Sequence, residues 1–244
     1  MDAWRFPPHF QIKPTSKKDY TKQLVQFGFV RRNDAARWAC AAVPARKTGT
    51  VDSFRITNDY RPVNKLTIPI AGVMLNLDAM LEQVAGSSCF AKFDLMKGFW
   101  QMPLHPDSQE VLSFMTEDSV FTPLRVPQGA MDSSVHFQNQ LQAVFRELLG
   151  HHCLIWIDDI IIYAESAVAF VAALRRFFEL LHTHRLRLNV KKSIIYCKEG
   201  MWCGRLVSGT AVRHDPNRLA ALSTLPPPPT IAALHQFVCA VNWL

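Results

Sequence analysis

Leu154-Ile155-Trp156-Ile157-Asp158-Asp159-Ile160-Ile161-Ile162-Tyr163 sets two adjacent carboxylates between two apolar runs rich in β-branched residues. Four apolar residues, two acids and four apolar residues predict a strand, a two-residue turn and a second strand. Tight hairpin turns normally recruit Asn-Gly or Asp-Gly, because their central residues need positive φ. A glycine-free Asp158-Asp159 turn breaks that local preference and exposes two charges at the tip. One reading is a solvated acidic turn. The other is a cation site: one or two carboxylates, completed by phosphate and water oxygens, make the octahedral shell that Mg2+ prefers.

A second acid favours the cation. Cys89-Phe90-Ala91-Lys92-Phe93-Asp94-Leu95 is another short strand-like run, and Lys97-Gly98-Phe99 follows it. If the two strands lie side by side, Asp94 comes to the acidic tip across 64 positions (158 − 94). Three such carboxylates can hold two metals roughly 3.5–4 Å apart, one activating an attacking oxygen and one stabilising a leaving phosphate.

Composition is compatible. The chain has 244 residues, 49% of them hydrophobic, enough for a real core built as one unit or as a few interleaved subdomains. A net charge of +7 favours a polyanionic partner. The cations are scattered, however, so ordinary solvated faces are the alternative. Six cysteines include no C-x-x-C pair, which argues against zinc and for reduced thiols. His151-His152-Cys153 precedes an apolar strand and reads as structural. No signal peptide or membrane-spanning apolar run is present, so no membrane partner is expected and the location read from this is cytoplasmic or nuclear.

Helical periodicity adds a second layer. Tyr20, Leu24 and Phe27 form a stripe ending at Gly28. Phe137, Leu141, Val144, Phe145 and Leu148 recur at helical spacing between Ser133 or Ser134 and Gly150. Phe170, Leu174, Phe177 and Leu181 do the same, with Arg175, Arg176 and Glu179 outward. Helices alternating with short strands give an α+β class. Pro226 to Pro229 is a stiff segment that cannot continue a helix.

At this point the chain resembles the reverse transcriptases of gypsy-type long-terminal-repeat retrotransposons. Arg55-Ile56-Thr57-Asn58-Asp59-Tyr60-Arg61-Pro62-Val63-Asn64 is similar to that family's R-x-x-x-D-Y-R-x-L-N, and Phe93-Asp94-Leu95-Met96-Lys97-Gly98-Phe99-Trp100-Gln101 to its L-D-L-x-x-G-Y-x-Q. Val126-Pro127-Gln128-Gly129 with Phe137-Gln138 comes next, and Trp156-Ile157-Asp158-Asp159 resembles the Y-x-D-D box. Leu188-Asn189-Val190-Lys191-Lys192, Trp202-Cys203-Gly204 and the tail from Pro226 to Trp243 fall where the family has L-N-x-x-K, F-L-G and a proline-led tail. The boxes are collinear from about Phe10 to Leu244. Departures are Trp156 in place of Tyr or Phe, Asp132-Ser133-Ser134-Val135-His136 in place of a T-N-A-P stretch, and the wording at Met96, Lys97 and Trp100.

The resemblance implies a right-hand polymerase whose palm is an antiparallel sheet backed by helices. It assigns residues 1–70 and 102–132 to fingers, 71–101 and 133–209 to palm, and 210–244 to a truncated thumb or connection. It implies an RNA-directed DNA polymerase that joins dNTPs to a primer on an RNA or DNA template. Asp94, Asp158 and Asp159, with the backbone carbonyl of Leu95, would hold two Mg2+, or Mn2+ in their place. Arg46, Lys47 and Arg55 would clamp the triphosphate, with exposed fingers cations as the alternative. Phe99 matches a steric gate against the ribose 2′-hydroxyl, a core phenylalanine being the alternative; Gln128 would bond the nucleotide and Gly129 permit close approach. Lys191 or Lys192 would protonate the leaving pyrophosphate. Ribonuclease H and integrase segments, fused to such cores, are absent here, so a core cut from a polyprotein is expected. The rival reading is a decayed or co-opted copy that binds nucleic acid without catalysis. A metal-dependent nuclease would need neither Gln128 nor the gate.

Overall fold

The structure is a computed structural model describing residues 17–46, 54–72 and 76–241. In chain order its strands are β1 (Val30–Arg32), β2 (Cys40–Arg46), β3 (Phe54–Asn58), β4 (Cys89–Asp94), β5 (Phe114–Met115), β6 (Val120–Pro123), β7 (Cys153–Trp156), β8 (Asp159–Ala164), β9 (Ile194–Cys197), β10 (Glu199–Trp202), β11 (Arg205–Ser208) and β12 (Val212–His214). Two compact units divide them.

The first unit comprises the described residues within Met1–Met74, Leu95–Val144 and Phe178–Leu188. Its sheet runs β1-β6-β5-β2-β3 and is antiparallel except for the β2/β5 pair. The helix Lys17–Gln26 packs its Leu24 on the sheet, and its end shows why the sequence put a glycine there. Gly28 takes φ +67°, its N–H donates to the Val25 carbonyl, and the Phe29 N–H donates to Leu24. Those two bonds satisfy orphan carbonyls in a Schellman arrangement. Leu24 and Phe29 complete it by packing in one core with Val30, Phe114 and Phe121. A neighbouring core gathers Cys40, Tyr60 and Val63.

The second unit comprises the described residues within Leu75–Asp94, Phe145–Phe177 and from Asn189 on. Its four-stranded sheet runs β7-β8-β4-β9 and is antiparallel throughout. Side chains alternate faces along a strand. On one face Phe93 stacks on Phe177 of the helix Ala167–Thr183 at 4.7 Å, and Phe145 stacks on the same ring at 5.1 Å. On the other face Phe90, Ile161 and Tyr163 join Trp202, Val207, Met80 and Val84 in a buried cluster. The same alternation carries Asp94 and Asp159 onto that second face, at its far end. Arg175, Arg176 and Glu179 point outward as expected.

The helix Ser133–Val144 buries Phe137 and Leu141 but stops short of the expected Gly150. Phe145 and Leu148 still face the core from a turn, and Gly150 closes it with φ +77°. In the third sheet, β10-β11-β12, Gly209 lies between β11 and β12, and its carbonyl accepts from the Gly86 N–H at 2.8 Å. A Cβ on Gly209 would fall 1.7 Å from the Ser87 carbonyl oxygen, so only glycine fits this close approach. Pro226 to Pro229 interrupts the helices Pro216–Ser223 and Ile231–Val241. All six cysteines are free thiols. Among the described residues no helix is long and apolar enough to cross a membrane.

Candidate active site

The hairpin forms, one residue out of the expected register. Trp156 pairs with Asp159, which opens β8, so the two loop residues are Ile157 and Asp158 rather than the two acids. The left-handed backbone falls on Ile157, at φ +54°. A β-branched residue there stores strain of order 1–3 kcal/mol. Asp159 is thereby a strand residue, directly opposite Asp94 in the β4/β8 ladder. Like charges facing each other across a ladder repel. Two lysines oppose that repulsion.

Lys192 Nζ donates to Asp94 Oδ2 at 2.9 Å. It reaches across 98 positions because the Asn189 N–H donates to the Asp94 carbonyl at 2.8 Å, and the single 3-10 turn Val190–Lys192 starts there. Lys92 Nζ lies 3.7 Å from Asp159 Oδ1. Asp94 is nearly buried, whereas Asp158 and Asp159 are partly exposed. Burial pushes the Asp158 carboxyl above its ordinary pKa, and the Asp159 and Asp94 charges push it further; a bond to its own backbone N–H and the Lys192 ammonium oppose them.

Among the described residues no three His, Cys, Asp or Glu side chains stand in a ready metal cage. One oxygen of Asp94 and one of Asp159 each face an ammonium. The donor set itself fits a hard divalent cation: three carboxylates, with Asp94 and Asp159 close enough to push the Asp158 carboxyl up, and no thiol or imidazole among them.

Of the other anticipated residues, Arg46, Arg55, Leu95, Phe99, Gln128 and Gly129 lie in the first unit and Lys191 in the second. Phe99 sits on the short helix Gly98–Gln101, half-buried, and stacks on the fully buried Phe137 with ring centroids 4.8 Å apart. Leu95 is buried and bridges Leu188. Gln101, which sequence reasoning did not single out, is buried and clamps this segment. Its amide donates to the Met96 and Arg187 carbonyls, and its Oε1 accepts from the Arg187 N–H. Gln128 is exposed. Gly129 has φ +101°, and a Cβ there would meet nothing nearer than 3.7 Å. The backbone angle, then, rather than crowding, calls for glycine. Asn64 fixes this loop, its amide donating to the Gly129 carbonyl at 3.1 Å and its Oδ1 accepting from Met131 N–H at 2.9 Å. Arg46 ends β2 opposite Phe54, and Arg55 pairs with Ala45 in the backbone ladder; Lys47 lies outside the described residues. Lys191 is exposed beside Lys192.

Lys92 was also missed as a site residue. Its signal was present: one charge in an apolar strand, two residues before Asp94 and so on the same face.

The fold and this carboxylate ladder define a class. The family model described as reverse transcriptase (RNA-dependent DNA polymerase) matches residues 45–215, and the chain belongs to that family. Within it, the relatives include Pol polyproteins of gypsy-type retrotransposons. The chain is 25% identical over 233 residues to the retrovirus-related Pol polyprotein from transposon 297 of Drosophila melanogaster, covering 95% of the chain and 22% of that relative. It is 27% identical over 222 residues to that from transposon gypsy of the same organism, covering 89% and 21%. It therefore spans about a fifth of the length of these curated relatives. Among solved structures, the foamy viral protease-reverse transcriptase in complex with double-stranded DNA superposes with a TM-score of 0.84 at 21% identity, over 99% of this chain and 42% of that one. Its complex with an RNA/DNA hybrid gives 0.81 at 21% identity, over 99% and 32%. The likeness establishes the α+β right-hand polymerase fold.

Proposed function

We propose that this chain is the catalytic core of an RNA-directed DNA polymerase that adds dNTPs to a primer paired with an RNA or DNA template. The observation that carries the reading is the direct pairing of Asp94 with Asp159, with Asp158 in the adjoining turn. Asp94, Asp158 and Asp159, with the Leu95 carbonyl, are the residues assigned to hold two Mg2+. When bound, such ions activate the primer hydroxyl and neutralise charge on the phosphates.

The remaining work falls to the chain's own groups. Asp94 and Asp159 are fixed by the ladder, so their carboxylates would hold the cations beside the reacting phosphate without reorganising. Lys192, whose side chain is 65% exposed, is free to leave Asp94 Oδ2 and present an Nζ proton to the departing pyrophosphate. Phe99 is assigned the sugar gate, supported by its stack on Phe137, which fixes one ring face. Gln128 and Gly129 are assigned to the nucleotide, held by the Asn64 clamp; Arg46, Lys47 and Arg55 are assigned to the triphosphate. The same reading assigns residues 1–70 and 102–132 to fingers, 71–101 and 133–209 to palm, and 210–244 to thumb or connection.

The test is primer extension on RNA and DNA templates with Mg2+ or Mn2+. Asp94→Asn is expected to lower the rate of single-nucleotide addition by orders of magnitude while circular dichroism stays unchanged. Undiminished extension by the variant would move the site elsewhere, and a parent that binds duplex without extending primers would refute the polymerase reading.

A further inference from the structure

Every member of β4 except Lys92 is buried, and Lys92 stands in the middle of the sheet, opposite Ile161 of β8 and Ile194 of β9. A lysine in such a run has a cost in desolvation unless its charge is used. Its ammonium reaches diagonally along the ladder to Asp159 Oδ1, 3.7 Å away. We propose that Lys92 is a positioning residue of the carboxylate site: it holds Asp159 and, as a cation that cannot withdraw, weakens the site's grip on divalent metal. This rests on the three carboxylates being the metal site.

The two lysines of the site differ in freedom. The Lys192 side chain is 65% exposed on a one-turn helix, so an arriving cation can displace it into solvent. The Lys92 side chain is only 26% exposed, and it rises from an interior strand with Ile161 of β8 and Ile194 of β9 opposite it. Three formal negative charges facing two ammoniums leave a net charge of −1 before metal arrives. The ladder can thus form with Asp94 and Asp159 face to face. Afterwards Lys92 remains, sharing Asp159 with the metal and repelling it. Asp159 is in consequence the weaker metal ligand and Asp94 the stronger one.

Mn2+ binding to the full chain at fixed ionic strength, followed through the electron paramagnetic resonance signal of free Mn2+, tests this without any turnover. Lys92→Gln is expected to lower the Kd about fivefold, the scale of a partly screened charge pair. Lys92→Arg keeps the charge and should stay within about twofold of the parent. In EDTA, Lys92→Gln should melt below the parent, because the facing carboxylates lose a counter-charge. A lower melting temperature with an unchanged Kd would reduce Lys92 to a fold residue and overturn the proposal, as would weaker Mn2+ binding. If Lys92→Gln does not fold, Asp159→Asn decides: with Asp159 already shared with Lys92, its loss should weaken Mn2+ binding less than Asp94→Asn does, and equal or greater weakening overturns the proposal. If Asp94→Asn leaves Mn2+ binding untouched, the metal-site reading itself falls and this inference with it.

Discussion

Replacing Gly98 with alanine would drive a methyl group into the ring that supports Phe99. An ideal Cβ on Gly98 lies 2.7 Å from Phe137 Cζ, 3.2 Å from Cε2 and 3.4 Å from Leu95 Cβ. Carbon atoms rest at about 3.5–4.0 Å, so the ring must retreat by roughly 0.8 Å. It has little room, being fully buried and stacked on Phe99 at 4.8 Å. Overpacking of this kind costs about 1–3 kcal/mol, and alanine's helix preference over glycine returns at most about 1 kcal/mol. A net loss of about 1–2 kcal/mol corresponds to a fall of roughly 2–8 °C in melting temperature for a chain of this size. Thermal melts followed by circular dichroism, with urea unfolding as a second measure, are the assay. Phe137→Leu in the Gly98→Ala background removes the clashing atoms and should cost less than Phe137→Leu alone, a non-additivity diagnostic of direct contact. A Gly98→Ala chain melting within 1 °C of the parent would show that the Phe137 ring is not confined and that the Phe99 stack is loose.

Two further outcomes are expected. Asp158 binds its proton more tightly folded than unfolded, because burial, then Asp159 and Asp94, raise its pKa above the ordinary 3.8. Its ionisation therefore costs stability as the pH rises from the unfolded value through the folded one. Asp158→Asn in EDTA should accordingly melt above the parent at pH 7, with the gap closing as the pH falls toward 4; a pH-independent gap, or a less stable variant, would contradict the repulsion. Phe99→Val should raise incorporation of ribonucleotides relative to deoxynucleotides, read as the ratio of kcat/KM values, and an unchanged ratio would assign Phe99 to the core.

How far the sequence was legible depends on whether a signal is local. The β7–β8 hairpin was readable because two apolar runs flank the acids, and the Lys17–Gln26 helix because its stripe ends in a glycine that the cap needs. The turn register was not. Ile160, Ile161 and Ile162 are all apolar and all buried, so no alternation marks which face is inward. The ladder with Trp156 and Asp94 decided it instead. The apolar stripe overran the Ser133–Val144 helix for a similar reason: Phe145 is buried against Phe177 from a turn, and burial alone does not identify a helix. The carboxylates were legible as types in a pattern. The pairing of Lys192 with Asp94 was not, because it spans 98 positions through a backbone bond at Asn189 that no local pattern encodes. Gln101 and Asn64 were quoted within motifs, but their work as clamps on carbonyls is visible only in three dimensions.

The ladder that joins Asp94 to Asp159 also fixes when in folding the site can exist. Its two strands meet across 65 positions (159 − 94), and Lys192 joins Asp94 through the Asn189 N–H bond to the Asp94 carbonyl, just ahead of β9 on the other edge of β4. Non-local pairings of this sort require loop closure first and form slowly. No fragment carrying the acidic hairpin alone can display the assembled site. A nascent chain gains the full charge arrangement only once residues beyond Lys192 have emerged, and heating should abolish it together with the central sheet rather than by fraying at its rim.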